Sequence, residues 1–296
     1  MKKIGFFLLI FSLFVGELNA QRQNKWRNYL DAASLQGADM VKSGDNLWIT
    51  TRGGLLRYNT ITGNHAVFQP DSCAIKGVKV TSVCSDSTGG VWFSTNASGL
   101  QHFDGTTFRR WPTKNNGEPL NRLRKIQLDK QGRLWMLHLT DSSALLQAEI
   151  LMFQSGQWTS YARDSLSYQG DFAVDKDGVC WNIREDFSRK PYTHVLAFDS
   201  RNGQITHFDT LNSPLKLYSL RALLCTDKVD NVWATYTTYN NPTKLYLQQL
   251  SLQNWRSDAF SNIVDVYNPS DFTFDNQGGM HIVSGNNYYT FLEPTI

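Results

Sequence analysis

The stretch Asp129-Lys-Gln-Gly-Arg-Leu-Trp135 decides how the rest of the chain is interpreted. An acidic residue opens a tight glycine turn, and six positions later a tryptophan falls in the apolar strand that follows. The same pattern, sometimes weakened, recurs along the chain, and its final residues are Trp48, Trp92, Trp135, Trp181, Trp233 and His281. Successive members are 44, 43, 46, 52 and 48 residues apart. A repeat of this length with several short strands per unit predicts a β-propeller.

One repeat unit shows the four strands of a propeller blade. Alternation of apolar and polar residues predicts strands over Val80–Ser85 and Val91–Thr95, joined by a glycine turn. A third strand is expected over Leu100–Phe103 and, after the hairpin signal Asp104-Gly105, a fourth over Thr107–Trp111. Helical periodicity is weak throughout, so we expect an all-β fold.

The two ends of the chain predict how the ring of blades closes. The sixth repeat has strand patterns near Asp271–Phe274, His281–Ser284 and Tyr288–Leu292, and a fourth is lacking. The segment Lys25–Tyr29 has the Trp-x-x-Tyr form of the fourth strand at Trp158–Tyr161. Pairing it with the last repeat would cover two sheet edges. The sequence therefore predicts a six-bladed β-propeller of four-stranded antiparallel blades, closed by the N-terminal strand pairing into the last blade.

Residues 1–20 have the three-part pattern of a secretory signal peptide. A basic start precedes the apolar run Ile4–Val15, and the small residue Ala20 stands at the expected cleavage point. The run is shorter than the roughly 20 apolar residues that a membrane span needs, which disfavours an anchor. We expect residues 21–296 to form a single propeller domain, periplasmic or secreted, without a transmembrane segment.

Charge and cysteine usage argue against several kinds of partner. The formal net charge is +3, and +2 without residues 1–20, which is too close to neutral to predict nucleic-acid binding. The cysteines at 73, 84, 180 and 225 lack the spacing of zinc ligands. We favour buried free thiols over a disulfide, and we predict neither a metal nor a cofactor.

The repeat resembles a known family. Its unit, hxxhxxDxxGxhWhxTxxGLxxh with h apolar, is similar to the two-component regulator propeller repeat; the copies are Val80–Phe103 and, with more drift, Gly37–Tyr58 and Leu123–Phe153. That family forms the periplasmic sensor propeller of bacterial hybrid two-component systems. The resemblance implies binding of saccharides or other nutrients. Because the sequence has no kinase, no Ig-like linking domain and no transmembrane helix, we expect a stand-alone soluble relative.

The connections between second and third strands differ among the repeats. They are short in the first two repeats and longer in the next three, over 141–149, 185–194 and 237–244. Loops that lengthen on one face of a rigid scaffold usually carry function. This end of the predicted ring is therefore the expected binding face.

The position three residues after the repeat tryptophan changes in the same repeats. It is threonine in the first two repeats and becomes histidine, arginine and tyrosine in the next three. Aromatic faces stack on sugar rings, while Arg and Asn donate hydrogen bonds. We predict a ligand-binding mouth formed by His138, Arg184, Tyr236, Arg52, Asn96, Glu185, Tyr192 and Tyr239. For each residue the alternative is a solvated loop side chain without a ligand.

Catalytic interpretations fit the sequence less well. The stretch Ser85-Asp86-Ser87-Thr88-Gly89 is similar to the Asp box of sialidases, but no clear arginine triad accompanies it. The repeat aspartates are expected to accept backbone N–H groups in their turns. We predict an exported, non-catalytic, sensor-like propeller that binds a small ligand, with a saccharide as one candidate, or a partner protein. The alternatives are a hydrolase or lyase at the channel mouth, and a structural component of an envelope or secretion complex.

Overall fold

The structure is a computed structural model. It describes residues 39–51, 53–69, 75, 79–140, 147–167, 171–185, 193–209, 211–213, 222–238, 241–252, 256–257, 271–274, 279–284 and 287–291. These residues belong to one compact unit, 37–296, and none of them lies in an α-helix. The predicted signal peptide and the segment Lys25–Tyr29 lie outside the described residues. Within the described ranges, no helix has the length and apolar character needed to cross a membrane.

The described strands form six antiparallel sheets, numbered 1 to 6 in chain order, in which consecutive strands are neighbours. Sheets 1 and 2 contain β1 (Met40–Ser43), β2 (Asn46–Thr51), β3 (Gly54–Asn59), β4 (His65–Phe68), β5 (Val80–Ser85), β6 (Val91–Thr95), β7 (Gly99–Phe103) and β8 (Phe108–Trp111). Sheets 3 and 4 contain β9 (Leu123–Leu128), β10 (Leu134–Thr140), β11 (Gln147–Gln154), β12 (Gln157–Ser167), β13 (Phe172–Val174), β14 (Val179–Glu185), β15 (Thr193–Asp199) and β16 (Gln204–Phe208). Sheets 5 and 6 contain β17 (Ala222–Thr226), β18 (Val232–Thr238), β19 (Asn241–Leu250), β20 (Arg256–Ser257), β21 (Asp271–Phe274), β22 (Met280–Ser284) and β23 (Asn287–Phe291).

Sheet 2 follows the predicted blade closely. β5 and β6 have the predicted bounds, and β7 and β8 each differ by one residue at the start. Sheet 6 has three strands among the described residues, with bounds within one residue of those expected for the last repeat. The all-β prediction is confirmed for the described part of the chain.

Consecutive sheets pack face to face through hydrophobic clusters. The cluster between sheets 3 and 4 contains Trp135 and Phe172, and that between sheets 4 and 5 contains Trp181, all three 0% exposed. Full burial of one large apolar side chain contributes about 1.5–3 kcal/mol. Comparable clusters lie between sheets 1 and 2, 2 and 3, and 5 and 6. The repeat tryptophans therefore join each sheet to a neighbour.

The first strands of the sheets converge. In sheet 3, Lys125 Nζ donates to the carbonyl oxygen of Leu224 in sheet 5 at 3.0 Å, and Lys130 Nζ pairs with Asp230 of sheet 5 at 2.7 Å. Both contacts join sheets 3 and 5 although sheet 4 lies between them in the chain, as expected where the three sheets fan out from a common centre. This is the arrangement expected of a propeller-like fold.

The repeat aspartates explain the six-residue spacing to tryptophan. Asp129 Oδ1 accepts the backbone N–H groups of Gln131 and Arg133, at 3.0 and 2.9 Å. Its Oδ2 accepts the indole N–H of Trp135 at 2.8 Å. Sheets 4 and 5 repeat the indole bond at 2.9 Å. The predicted turn role is confirmed for Asp86, Asp129, Asp175 and Asp227, whereas Asp275 lies outside the described residues. In sheets 3, 4 and 5 the aspartate also fixes the ring that packs between sheets.

The connection at 237–244 differs from the prediction, and the described cysteines agree with it. The predicted loop 237–244 is wrong, because β18 runs to Thr238 and β19 starts at Asn241; β-branched and aromatic residues favour strand here. By contrast, Cys84 and Cys180 are free thiols, as predicted. Burial raises the pKa of both thiols, so they remain protonated and unreactive at neutral pH.

Candidate functional site

The position singled out after each repeat tryptophan faces a residue of the third strand. We call these Cα-paired residues slot pairs: Thr51 with Gly54, Thr95 with Gly99, His138 with Glu149, Arg184 with His194, Tyr236 with Tyr246, and Ser284 with Asn287. The partner changes whenever the singled-out residue changes. The variation therefore belongs to both strands rather than to one residue.

The slot pairs of sheets 1 and 2 are closed. Thr51 Oγ1 donates to Gly54 O at 2.9 Å, and Thr95 Oγ1 donates to Gly99 O at 3.2 Å. Gly99 has a φ of +78°, and a Cβ there would lie 2.3 Å from the backbone oxygen of Trp111. Only glycine lets the third strand approach the fourth this closely, so these two slots have no room for a larger group.

The slot pair of sheet 3 is part of a buried ionic cluster. His138 Nδ1 lies 2.7 Å from Glu149 Oε1, and the same oxygen accepts a hydrogen bond from Lys114 Nζ at 2.8 Å. Ser160 donates its hydroxyl to the other oxygen, Oε2. Glu118 adds a second carboxylate, 2.7 Å from Lys114 Nζ. We call these five residues the Lys114 cluster.

Lys114 lies in the connection between sheets 2 and 3, which places its side chain in this cluster. Thr113 and Pro119 form an isolated bridge, and Lys114 N–H donates to Glu118 O at 2.8 Å. The side chain of Glu149 is 0% exposed and that of Lys114 6% exposed. Burial acts to raise the pKa of Glu149, but the bonds from His138, Lys114 and Ser160 more than offset it and lower that pKa to about 2.

The cluster also contains donor atoms that metal ions accept. One ligand atom each from Glu118, His138 and Glu149 lies within 4.8 Å of the others. The Lys114 ammonium, however, already bonds both carboxylates. It supplies the positive charge that a divalent ion would otherwise bring. The arrangement therefore fits an ion-pair cluster better than a metal centre.

The predicted mouth residues are only partly described. His138 is 2% exposed and lies between the sheets, not at an open rim. Asn96 is exposed; its Oδ1 accepts Lys79 N–H at 3.2 Å. Arg184, Glu185 and Tyr236 are placed as strand residues without a described side chain. The remaining predicted residues, Arg52, Tyr192 and Tyr239, lie outside the described ranges.

His194 is a site residue that the sequence alone did not reveal. It faces Arg184 across the ladder. Its Nε2 is a buried atom for which the described part of the chain provides no hydrogen-bond partner. A buried polar atom left unpaired costs about 1–3 kcal/mol, so it needs an explanation.

A second set of polar residues joins the first strands. Asp39 Oδ2 accepts Val83 N–H at 3.0 Å, Ser82 Oγ accepts Ile126 N–H at 3.1 Å, and Asp171 Oδ2 accepts Leu224 N–H at 2.8 Å. In the first strand of each sheet, one residue pairs across the ladder with the repeat tryptophan. Each of the three acceptors stands two residues before that paired residue, so they hold the same position in the repeat. Each caps the first strand of the following sheet. These groups connect sheets structurally.

Lys125 occupies that position in sheet 3. Its Nζ donates to Asp171 Oδ1 at 2.7 Å. Burial acts to lower the pKa of Lys125, but the adjacent Asp171 carboxylate more than offsets it, so the pKa is raised. Burial raises the pKa of Asp39, only partly offset by the hydrogen bonds from Ser82 and Val83. Lys125 is thus paired with Asp171, and Asp39 accepts hydrogen bonds from Ser82 and Val83.

Comparison with known proteins gives the fold. No family model matches the chain, and no curated protein matches it. A solved extracellular domain assigned to a hybrid two-component system of B. thetaiotaomicron is 16% identical, with a TM-score of 0.61 over 90% of this chain and 34% of its own. PorZ, a surface component of the type-IX secretion system of Porphyromonas gingivalis, is 16% identical, with a TM-score of 0.59 over 87% of this chain and 38% of its own.

For a third similar structure, nearly the same share of both chains is aligned. A gluconolactonase of Xanthomonas campestris is 14% identical, with a TM-score of 0.54 over 83% of this chain and 81% of its own. This chain spans little more than a third of the length of the first two relatives. At such identities the likeness concerns the fold alone. The chain has an all-β, propeller-like architecture similar to that of an extracellular two-component-system domain, a secretion-system component and a gluconolactonase.

Proposed function

We propose that the chain is an exported, non-catalytic β-propeller that binds a small ligand or a partner protein at the end of the sheets where the slot pairs lie. The observation that carries this proposal is the joint change of both slot-pair members. Sheets 1 and 2 have closed Thr–Gly pairs, whereas sheet 4 pairs Arg184 with His194 and sheet 5 pairs Tyr236 with Tyr246. His194 Nε2 is a buried atom without a hydrogen-bond partner among the described residues, which supports a ligand at this pair.

The proposed contacts are centred on sheets 4 and 5. Arg184 and Tyr236 are the anchors, with the remaining predicted mouth residues Arg52, Asn96, Glu185, Tyr192 and Tyr239 around them. We place His138 at the border of this site and not among the anchors, because its ring is buried and bonded to Glu149 in the Lys114 cluster. A saccharide fits a mouth of aromatic, cationic and amide side chains.

The sensor-like interpretation is supported by the likeness to an extracellular two-component domain. That likeness and the predicted signal peptide together favour a periplasmic or secreted protein. The likeness to PorZ keeps a second candidate open, a component of an envelope complex that binds a protein partner. The likeness to a gluconolactonase is the support for a hydrolase or lyase acting at the same end.

Alanine at Arg184 or Tyr236 is expected to weaken ligand binding by about 1–3 kcal/mol, because each removes a hydrogen-bonding or stacking anchor. The measurement is calorimetric titration with ligands found by a thermal-shift screen of oligosaccharides. Arg109→Ala, an exposed cation on β8, is the control and should bind normally. Unchanged affinity in the Arg184→Ala, Tyr236→Ala double variant would refute the site. Turnover of a bound sugar would favour the enzyme instead.

We also propose six blades, with the ring closed by Lys25–Tyr29 pairing beside β23. Sheet 6 has three described strands, and this segment has the pattern of a fourth. Deleting residues 21–30 from the mature chain should expose a sheet edge, so the protein should aggregate or dimerise. Light scattering and thermal unfolding measure this. A truncated protein that stays monomeric with an unchanged melting temperature would rule closure out.

A further inference from the structure

Sheet 4 has a buried polar side chain at a position where the other sheets have apolar ones. Asn182 directly follows the repeat tryptophan of that sheet and is 2% exposed. The same repeat position is apolar elsewhere, at Ile49, Phe93, Met136, Ala234 and Ile282. Packing between the sheets is therefore met by apolar residues at this position, and the asparagine needs a separate reason.

Only one end of the Asn182 amide is satisfied. Its Nδ2 donates to the carbonyl oxygen of Asp171 at 3.0 Å, which fixes the orientation of the amide. Its Oδ1 is buried and has no hydrogen-bond partner among the described residues. The residues paired with Asn182 across the sheet, Phe172 and Leu196, are buried and apolar, so their side chains offer no donor. A buried amide oxygen without a partner is costly to keep.

His194 has a second unpaired atom on the same face of sheet 4. Asn182 pairs with Leu196, and His194 stands two residues before Leu196, so the three residues share a face. His194 Nε2 is buried without a partner in the part of the chain that the structure describes. Diagonal neighbours of this kind have their Cβ atoms about 7–8 Å apart. Two hydrogen bonds of about 2.8 Å each, made to neighbouring hydroxyl groups of one sugar ring, can span that separation.

The shared face of Asn182 and His194 is directed towards sheet 3. Phe172 and Leu196, which share it, pack in the cluster between sheets 3 and 4. In that cluster Ala148 is a small residue of sheet 3, one position before its slot-pair member. His194 is half-buried and belongs to the slot pair of sheet 4, whereas Asn182 lies two residues, about 7 Å, further along β14. A group that enters past His194 from the slot-pair end would therefore approach the Asn182 oxygen.

The two unpaired atoms select the chemistry of such a group. Asn182 Oδ1 can only accept a hydrogen bond, so it disfavours an ionised carboxylate or sulfate, which has no proton to donate. An ammonium group would need a carboxylate, and that of Asp171 is already bonded by Lys125 Nζ and by the N–H of Leu224. A neutral hydroxyl both donates and accepts, so it suits His194 Nε2 in either tautomer. Two adjacent hydroxyl groups therefore fit the pair best.

We propose that Asn182 and His194 form an inner subsite that binds two neighbouring hydroxyl groups of a neutral saccharide. One hydroxyl donates to Asn182 Oδ1, and the next bonds His194 Nε2. This proposal rests on the proposed function, since it names the groups by which a ligand at the slot-pair end is recognised. It makes Asn182 a specificity-determining residue, in addition to the anchors of sheets 4 and 5.

The test is calorimetric titration of the mature protein with maltotriose, cellotriose and mannotriose. At least one of these neutral trisaccharides should bind. Asn182→Leu and His194→Phe should each weaken that binding at least about tenfold, because each leaves a ligand hydroxyl without its partner. Met136→Leu changes the same repeat position in sheet 3 and should bind normally. In NMR spectra of the protein with isotope-labelled histidine, the Nε2 resonance of His194, assigned with His194→Phe, should shift when the sugar is added.

The stability of Asn182→Leu separates binding of a ligand from a structural role. An unsatisfied buried oxygen contributes nothing to the fold, so the variant should unfold at the same urea concentration as the parent or at a higher one. Asn182→Ala is the second variant, because it needs less room than leucine. If Asn182→Ala binds the sugar as tightly as the parent, the asparagine only bonds Asp171 and the inner subsite is refuted.

The outcomes for the inner subsite and for the proposed function are distinguishable. Sugar binding that is lost in Arg184→Ala but kept in Asn182→Ala would refute the subsite and leave the proposed function intact. Sugar binding that is lost in Asn182→Ala but kept in the Arg184→Ala, Tyr236→Ala double variant would support the subsite and reject the anchors. If none of the three trisaccharides binds, the subsite is refuted, whereas the proposed function still includes a partner protein.

Discussion

Replacing Lys114 with methionine should lower the free energy of unfolding by about 3–5 kcal/mol at neutral pH. The substitution keeps the length of the side chain but removes the ammonium that bonds Glu149 and Glu118. Glu149 is fully buried and would keep a charge without its main cationic partner. Removing one partner of a buried pair is strongly destabilising for this reason, even where the intact pair adds little net stability.

Urea unfolding measures this effect, and two further variants interpret it. Lys114→Met combined with Glu149→Gln should recover much of the loss, because the uncompensated charge is gone. Lys130→Met is the matched control, since its pair with Asp230 is 60% exposed on the lysine side. Exposed pairs contribute about 0–1 kcal/mol. If Lys114→Met costs no more than Lys130→Met, the Lys114 ammonium is not the main partner of the buried Glu149 charge.

The fold could be predicted because its repeat depends on contacts between residues that are close together in the sequence. Asp129 and Trp135 are six residues apart because one carboxylate bonds both the turn backbone and the indole. Such a constraint fixes residue types and spacing together, so it is visible in the sequence. In sheet 2 the Asp86 carboxylate accepts the turn N–H of Gly90, and the alternation of apolar and polar residues predicts the strand bounds to within one residue. The exception, the connection at 237–244, lacks such a constraint, and strand-forming residues extend the hairpin.

The candidate site could be predicted only in part, because its contacts join distant segments. His138 was identified from the repeat position, but Glu149 lies across a connection whose length varies among repeats. Lys114 comes from the segment that precedes the sheet, and no local pattern marks it. His194 was missed for a related reason, since its pairing with Arg184 depends on the strand register. Residue types alone do not encode that register.

The same limit applies to the bonds between first strands. One repeat position accepts a backbone N–H from the following sheet, but the residue type there varies. It is aspartate at Asp39 and Asp171 and serine at Ser82. The backbone N–H requires only an acceptor, and either a carboxylate or a hydroxyl satisfies it. A structural role that tolerates different residues leaves no sequence signature. The slot pairs would differ in this respect if they bind the proposed ligand, because a ligand selects particular side chains.

Acidification should remove about 3 kcal/mol of stability through Glu149 alone. Its pKa in the folded protein is about 2, compared with an ordinary value of 4.5. A lowered carboxyl pKa means that the folded state favours the ionised form, so the stabilisation is fully present above pH 4.5. It is lost as the pH falls from about 4.5 towards 2. Each pKa unit corresponds to about 1.4 kcal/mol.

The Glu149→Gln variant isolates this contribution from those of other acids. At pH 7 the variant should unfold more easily than the parent, because glutamine forms weaker bonds with Lys114 and His138. The difference in unfolding free energy should shrink between pH 4.5 and pH 2.5, since the parent loses its ionised Glu149 and the variant has none to lose. Urea unfolding at several pH values measures it. Glu118→Gln is the control: its carboxylate is 24% exposed, so solvent screening should leave a smaller change. A difference that stays constant down to pH 2.5 would mean that Glu149 is not held ionised by the Lys114 cluster.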